Sequence, residues 1–358
     1  MFKHRLSVAS LLLMILMSAT GFAQSFVLDL PRQSQRSVVT QRVGVTDITV
    51  SYHRPVVNGR KVWDGLVPYG QVWRAGANEN TTIKFSTPVS IEGQALEMGT
   101  YGLHMIPTAD QWTIIFSKNS TSWGSFTYDQ KEDALRVTVK PQTSDMHEAL
   151  AYDFDDVKAT STLVTLRWEK VAVPFKVEAK TDELVEASLQ KQLRGLAQYT
   201  WISWDDAANY LLAAKVDLPQ ALKYSDLSIQ NEDRYDNEIT KSKVLTAMNR
   251  KEDSVAAQKK ALDLASPLQV HLFARGLQGE KRSDEAYAIF RENAKKHPDQ
   301  WFVHSGLARI YCSQGKFDDA TKEMKVALAS APDNQKVYVG GLVTVSYTHL
   351  TLPTILRV

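Results

Sequence analysis

The sequence predicts an α+β multidomain protein in which an antiparallel β-sandwich or barrel-like domain precedes an α-helical repeat domain. Two observations support this prediction. Short segments of alternating apolar and polar residues follow one another between residues 47 and 168, which is typical of an antiparallel sandwich or a closed sheet. From residue 185 onward, apolar residues recur at helical spacing and small residues recur at a fixed 34-residue offset, which indicates stacked helical repeats.

Residues 1–23 have the features of a secretory signal peptide. A basic start at Lys3 and Arg5 precedes an almost wholly apolar run over residues 8–17, and small residues just before Gln24 permit cleavage there. The apolar run is shorter than the roughly 20 residues that a membrane-spanning helix needs. We therefore predict a cleaved signal and a periplasmic or secreted protein, with no membrane span in the mature chain.

The composition excludes several classes of partner. The chain has 42 Lys and Arg residues, and removal of Lys3 and Arg5 with the signal leaves 40, which equals the 40 Asp and Glu residues. A chain without basic excess is not expected to bind nucleic acid or an anionic membrane. Cys312 is the single cysteine, so no intrachain disulfide can form even in an oxidising compartment.

The predicted β-rich domain covers residues 24–178, with a polar lead-in up to about residue 37. Strands are predicted over residues 47–52, 82–85, 89–91, 100–106, 112–116, 135–139, 149–154 and 163–168. Pro107–Asp110 and Lys118–Ser120 are the clearest turn formers, whereas Glu92-Gly93 is not counted as one. No helical pattern of about 10–15 residues alternates with these strands, which argues against a parallel α/β sheet.

The segment Tyr52–Ile83 interrupts the strands with glycines and prolines set among cations and aromatic residues. Long loops of this kind frequently carry function. From Arg54 onward the segment follows the pattern RPxxxGRxxxxxLVPYGxVWRxGANxxT, and it resembles the domain of unknown function 2911 family of exported bacterial proteins. The resemblance extends over about residues 30–175, through GTYG at 99–102, WTIIF at 112–116, WG at 123–124 and LRVTV at 135–139. It implies an exported β-rich module, often with a helical repeat tail, and transfers no activity.

The side chains of this segment allow two interpretations. Guanidinium groups bind carboxylate, phosphate or sulfate bidentately, and aromatic rings stack on sugars or other flat ligands. On this interpretation the candidate ligand-binding residues are Arg54, Arg60, Tyr69, Trp73, Arg74, Asn78 and Glu79. On the structural interpretation, the arginines pair internally with Asp64 and Glu79, and the aromatic rings, Trp63 included, plug one end of the sandwich.

Helical repeats are predicted over residues 179–336. The 34-residue offset is kept by Ala274/Ala308, Ala286/Ala320 and Pro298/Pro332. Small residues let two helices cross closely and proline ends the second helix, so the pattern resembles the tetratricopeptide repeat. Fainter copies precede it, with Ala257 and Ala261 in one and Ala208 and Ala221 in another. Because such repeats stack into a superhelix with a concave binding face, we predict a protein or peptide partner there.

The segment 337–358 departs from the repeat pattern. It is rich in β-branched residues and glycine at a position where a polar capping helix is expected. We interpret it as an atypical tail, non-native from about residue 339, and expect weak order there.

No sequence pattern identifies a reaction. A G-x-S-x-G elbow, an S-x-x-K set with its partners, an H-E-x-x-H helix and nucleotide fingerprints are all absent. His53, His104 and His147 lack the spacing of metal ligands, so no metal, cofactor or catalytic residue is predicted. We therefore favour a non-catalytic binding or scaffold protein, with a small polar or glycan ligand or a partner protein on the β domain. The alternative is a hydrolase acting on an anionic or sugar substrate, with Glu79 and His53 nearest to the required acid–base roles.

Overall fold

The computed structural model describes residues 31–348, which form two compact units. The units divide after Val185, a few residues beyond the boundary that the sequence predicts at residue 178. The predicted signal peptide, residues 1–23, lies outside the described residues. Among the described residues, no helix has both the length and the apolar content that a membrane crossing requires.

The β unit consists of two antiparallel sheets that share one core. Its strands are β1 (Gln35–Val43), β2 (Thr46–Arg54), β3 (Thr82–Phe85), β4 (Val89–Ile91), β5 (Gln94–Leu96), β6 (Gly99–Pro107), β7 (Trp112–Ser117), β8 (Asp133–Val139), β9 (Gln142–Asp155) and β10 (Ser161–Glu178). The larger sheet has the order β1-β2-β3-β6-β7-β8 and the smaller β5-β4-β10-β9. Phe116 of β7 meets Phe175 of β10 in the core, with ring centroids 5.8 Å apart. The prediction of an antiparallel β domain is confirmed.

Three local predictions for this unit need correction. Part of the predicted polar lead-in is β1, an edge strand whose polar side chains face outward and therefore lack an apolar signal. Glu92 and Gly93, both at positive φ, make the two-residue turn between β4 and β5, where the Glu92 carboxylate accepts a hydrogen bond from the Lys176 amide. β9 and β10 extend well beyond the predicted spans because register shifts on either side of Glu169 break the alternation of side chains.

The second unit is a succession of antiparallel helix pairs. Its helices are α1 (Thr181–Gln192), which begins in the first unit, α2 (Trp201–Ala214), α3 (Leu218–Asn231), α4 (Tyr235–Ala247), α5 (Lys251–Leu264), α6 (Pro267–Gly279), α7 (Ser283–Lys296), α8 (Trp301–Ser313), α9 (Phe317–Ser330) and α10 (Asp333–Thr348). Pairs form between α2 and α3, α4 and α5, α6 and α7, and α8 and α9. The alanines that keep the 34-residue offset are all buried at these crossings: Ala274, Ala286, Ala308 and Ala320. The predicted tetratricopeptide-like arrangement is confirmed.

Close packing also explains Gly306 on α8. A Cβ atom at this position would lie 2.8 Å from a ring carbon of Phe290 on α7, closer than such atoms approach. Helix α10 continues to Thr348 in spite of Gly340 and Gly341. This helix packs on α9 and buries Val339, and weak order from residue 339 stays a prediction. Residues 349–358 lie outside the described residues.

Candidate functional site

The loop between β2 and β3, residues 55–81, closes one end of the β unit. It is held by backbone bridges from Val56 to Ala149 and from Trp73 to Met105. The hydroxyl group of Tyr152 donates a hydrogen bond of 2.9 Å to the Ala75 carbonyl, and Tyr152 is fully buried. These contacts reach strands of both sheets, so the loop that carries the candidate residues is fixed by the sandwich itself.

The tryptophans of the loop form a cluster with two core tryptophans. Trp63 lies 4.9 Å from Trp112 and 5.7 Å from Trp168 between ring centroids, and Trp73 stacks on Trp168 at 5.9 Å with an interplanar angle of 19°. The Trp73 indole N–H donates to the Gly76 carbonyl at 3.1 Å. For these two rings the structural interpretation is confirmed, since both pack against the core of the sandwich.

The three arginines of the segment do not make the predicted internal ion pairs. Arg54 donates from Nε to the Leu150 carbonyl at 2.8 Å, and Arg60 donates from Nε to the Val57 carbonyl at 3.1 Å. Arg74 makes no hydrogen bond or ion pair with any described residue, and its Nε atom is buried without a partner. The pairing of these arginines with Asp64 and Glu79 is therefore wrong. The physical reason for Arg54 and Arg60 is that backbone carbonyls accept their hydrogen bonds, a carbonyl of β9 for Arg54 and a carbonyl of the loop for Arg60.

Glu79 pairs with Arg32, which the sequence did not indicate, and lies beside His53. Its Oε1 accepts a hydrogen bond of 2.6 Å from Arg32, and its Oε2 lies 3.4 Å from His53 Nε2 without a hydrogen bond. Burial acts to raise the pKa of Glu79, but its own backbone N–H, Arg32 and His53 outweigh burial and hold that pKa below its usual range. Burial lowers the pKa of His53, with Glu79 opposing the shift and Arg32 and Arg36 adding to it.

These groups line an open depression, the His53 groove, which also includes Ser34, Gln35, Ser51 and Thr82. Its residues come from the segment just before β1, from β1, β2 and the start of β3, and from the loop end at Glu79 and Asn80. Arg32 and Arg36 were missed at the sequence level because they stand in a polar stretch with no apolar pattern. Arg36 is brought to His53 by the pairing of β1 with β2, and Arg32, just before β1, is held by its hydrogen bond to Glu79.

A second cavity, the Arg74 cavity, brings together three of the predicted site residues. Its lining includes Arg60, Trp73 and Arg74 with Asn58 and Leu66, and its volume is about 340 Å³. No lining residue of this cavity carries a carboxylate. The remaining candidates lie elsewhere: Arg54 is satisfied by the Leu150 carbonyl, Asn78 donates to the Ser34 carbonyl at 3.3 Å, and Tyr69 is 38% exposed outside both depressions. The seven candidates therefore do not converge on one site.

His104 is a buried residue of β6 that contacts the segment between β7 and β8. Its Nδ1 lies 2.9 Å from the Ser125 hydroxyl oxygen, and its ring contacts Tyr128 at 5.4 Å between centroids. Burial lowers the pKa of His104 to about 4, with the charge of Asp133 opposing the shift. Among residues 31–348 no group of three or more His, Cys, Asp and Glu side chains is arranged to hold a metal ion.

The depressed pKa of His104 makes the β unit sensitive to acid. The unfolded histidine titrates at 6.5 and the folded one at about 4, so the unfolded state takes up the proton first as the pH falls. The free energy of unfolding is therefore complete above pH 6.5 and falls by about 3 kcal/mol between pH 6.5 and pH 4. Urea unfolding of the full chain at pH 7.5 and 4.5, followed by hydrogen exchange of peptides from β6, measures this loss.

A matched variant tests the assignment to His104. His104→Gln is expected to remove most of this pH dependence from the β unit. The helical unit should keep its own, because burial also lowers the pKa of His271 on α6 to about 4, together with the charges of Arg275 and Arg309. An unchanged pH profile of the β unit in His104→Gln contradicts the prediction.

The helical unit carries a separate depression, the repeat groove, of about 430 Å³. It is lined by Leu268, His271, Leu272 and Arg275 of α6, Trp301, Phe302 and Ser305 of α8, Pro332, and Asn334, Gln335 and Tyr338 of α10. Helices α6, α8 and α10 are the first helices of successive repeats, so the groove follows the repeat axis. Leu272 is 52% exposed and Tyr338 48% exposed in it. The sequence predicted a partner on the repeats but did not indicate which residues line this groove.

Comparisons with known proteins agree with this division of the chain. Residues 34–177 match the family model described as "Protein of unknown function (DUF2911)", and residues 277–340 match the tetratricopeptide repeat model. No curated protein sequence matches the chain.

Two solved structures resemble part of the chain. The crystal structure of the APC/C hetero-tetramer Cut9-Hcn1 is 12% identical with a TM-score of 0.32, covering 46% of this chain and 33% of that one. The chain therefore spans about a third of that relative. The structure of YrrB, a TPR protein with an unusual peptide-binding site, is 13% identical with a TM-score of 0.28, covering 45% of this chain and 83% of that one. Scores this low support no conclusion about function. By its family models, the chain carries a DUF2911 domain over residues 34–177, followed by tetratricopeptide repeats over residues 277–340.

Proposed function

We propose that the mature chain is an exported, non-catalytic binding or scaffold protein. Its helical unit holds an acidic peptide or protein segment, and its β unit holds a small polar ligand. The observation that carries this proposal is the repeat groove, which is lined by exposed apolar side chains and by Arg275, an arginine without a carboxylate partner among the described residues, with the charge of Arg309 nearby. Export rests on the signal features of residues 1–23, and the repeat unit supplies the scaffold half of the proposal.

The charge of the repeat groove favours an anionic partner. Burial lowers the pKa of Arg309, and the nearby positive charge of Arg275 lowers it further. The Arg309 guanidinium makes no hydrogen bond or ion pair with the described residues, and Arg275 reaches only the Tyr338 hydroxyl, at 3.4 Å. Two guanidinium groups so close together repel each other unless an anion lies between them. A carboxylate would relieve that repulsion and supply the missing acceptors.

The shape of the groove favours a peptide over a small molecule. Leu268 and Leu272 of α6 stand about one helical turn apart, and both are partly exposed, as is Tyr338 of α10. A partner with an apolar side chain next to its carboxylate would cover these residues and the arginines together. Aromatic and arginine side chains in such a position are those that dominate binding at protein interfaces.

Binding of labelled peptides to the full chain tests this proposal. Two fluorescein-labelled hexapeptides would be compared, identical except that two glutamates in one are lysines in the other. We expect the acidic peptide to bind and the basic one not to. Arg275→Ala and Arg309→Ala should each weaken acidic peptide binding about tenfold or more, the value of a charge-assisted hydrogen bond. Fluorescence anisotropy at two salt concentrations measures both effects.

Arg291→Ala is the matched control, because Arg291 is exposed on α7, outside the groove. It should leave binding of the acidic peptide unchanged. Equal binding of both peptides, no binding of either, or equal effects of Arg291→Ala and Arg275→Ala would each overturn the proposal.

The hydrolase alternative depends on Glu79 and His53 in the His53 groove. General acid–base catalysis works best with a pKa near the operating pH. The pKa of Glu79 and the pKa of His53 are both lowered, so near neutral pH the carboxylate is ionised and the imidazole is a weak base. These shifts favour binding over catalysis at this groove.

A further inference from the structure

Arg74 is the arginine of the β unit whose environment lacks an acceptor. Arg54 at the end of β2 and Arg60 in the loop donate from Nε to backbone carbonyls, whereas Nε of Arg74 is buried with no hydrogen-bond partner. Burial lowers the pKa of Arg74, and no described carboxylate makes an ion pair with it. A half-buried guanidinium without partners is costly, so an acceptor supplied from outside would be bound favourably.

Two exposed aromatic rings lie next to this guanidinium. Trp123 and Phe126 are 56% and 79% exposed, and their rings stack at 6.0 Å with an interplanar angle of 12°. Cζ of Arg74 lies 5.8 Å from the centroid of the Trp123 ring. Because the rings are stacked with nearly parallel planes and both are largely exposed, an outer ring face of the pair is open to solvent, and such a flat apolar face suits a sugar ring.

Gly124 sets this arrangement. Its φ is +73°, and a Cβ atom there would lie 3.1 Å from the Phe126 ring and 3.2 Å from a terminal nitrogen of Arg74. The turn therefore brings the two rings and the guanidinium closer together than a larger residue would permit. This close fit on an exposed loop has no evident role in the core of the sandwich.

Arg74 contacts the aromatic pair and is also one of the residues that line the Arg74 cavity. The lining there includes Arg60 and Asn58 but no carboxylate, so the cavity offers hydrogen-bond donors and positive charge without an internal counter-ion. Its volume of about 340 Å³ is at the lower end of the range for small-molecule sites. An anionic group on Arg74 and a ring face on Trp123 and Phe126 could be satisfied by one ligand.

We propose that Arg74, Trp123 and Phe126 form a binding site for an acidic oligosaccharide, with a uronic acid carboxylate on Arg74 and sugar rings on the aromatic pair. This inference deepens the β-unit half of the proposed function and rests on it. The carboxylate provides the acceptors that Arg74 lacks, and the aromatic pair distinguishes a sugar from a simple anion.

Calorimetric titration of the full chain with trigalacturonic acid, galactotriose and inorganic phosphate tests the proposal. We expect trigalacturonic acid to bind, with an affinity that falls as salt rises, and the other two to bind at least tenfold more weakly. Arg74→Gln should weaken binding about tenfold to a hundredfold. Trp123→Ala and Phe126→Ala should each weaken it about threefold to tenfold.

Arg36→Gln in the His53 groove is the control and should bind as the unchanged protein does. The folded state is checked by thermal unfolding, and Arg74→Gln should remain folded because Arg74 makes no hydrogen bond. If Arg74→Gln proves unstable, Trp123→Ala still tests the site, because Trp123 is exposed and its replacement should not unfold the protein. Equal binding of galactotriose, equal binding of phosphate, or unchanged binding by either variant would overturn the site.

The failure of this site is distinguishable from failure of the proposed function. Absence of saccharide binding together with acidic peptide binding to the repeat groove would refute this inference alone. Absence of both would refute the binding protein as a whole.

Discussion

Trp112→Ala is expected to lower the free energy of unfolding of the β unit by about 3–5 kcal/mol, the usual cost of removing a large aromatic side chain from a core. Trp112 is 2% exposed and lies within 6.5 Å of both Trp63 and Trp73 between ring centroids. Its removal would therefore leave a cavity beneath the loop of residues 55–81 as well as between strands. We expect this loop to lose hydrogen-exchange protection before the sheets do.

Urea unfolding of the full chain, followed by hydrogen exchange and mass spectrometry, resolves the β unit from the helical unit. Trp123→Ala is the matched control, since it removes the same residue type from an exposed position and should cost within about 1 kcal/mol. If Trp112→Ala and Trp123→Ala destabilise the β unit equally, the tryptophan cluster does not contribute to its stability as the structure implies.

Phe290→Ala should have a comparable effect in the helical unit, about 3–5 kcal/mol. Phe290 on α7 is 1% exposed, contacts the His271 ring of α6 at 5.2 Å, and packs against Gly306 of α8. It therefore joins two successive repeats. Because repeat proteins are stabilised by contacts between neighbouring repeats, the loss should extend to α8 and α9.

Hydrogen exchange of peptides from α6 to α9 measures this effect, and peptides from β6 in the same sample report the β unit. Tyr199→Ala, at an aromatic residue that is 73% exposed in the second unit, serves as the control and should be nearly neutral. A loss confined to α7 would contradict the coupling between repeats, and a loss below about 1 kcal/mol would contradict the packing role of Phe290.

The helical repeat was predictable because its signal is local and periodic. Ala286 and Ala320 lie at equivalent helix crossings, where only a small side chain lets the helices pack closely. The 34-residue offset between them identifies both positions in the sequence. The strands were predictable where one face is buried, as at Ile48 and Val50 of β2, which are fully buried. Along the polar edge strand β1 neither face is consistently apolar, so the sequence shows no regular alternation of apolar and polar residues and the strand was missed.

The candidate site was only partly predictable for a related reason. Arg54, Arg60 and Arg74 look equivalent in the sequence, and only their surroundings distinguish them. Trp123 was visible as part of a family motif, but nothing nearby in sequence connects it with Arg74. Arg36 likewise reaches His53 only through strand pairing, and Arg32 reaches this groove through its hydrogen bond to Glu79.

The sequence alone determined that the chain combines an antiparallel β domain with helical repeats. When one face of a strand or helix is buried, apolar residues recur along the sequence at the spacing of that element, and this spacing can be read from a short segment. The tertiary structure alone decided which of the similar residues have partners. Arg54 finds a carbonyl of β9, nearly a hundred positions away, while Arg74 finds none and lies against Trp123. Such contacts depend on how two sheets and a long loop pack together. The residues that meet in this packing are separated by no regular interval in the sequence, so no sequence pattern predicts them.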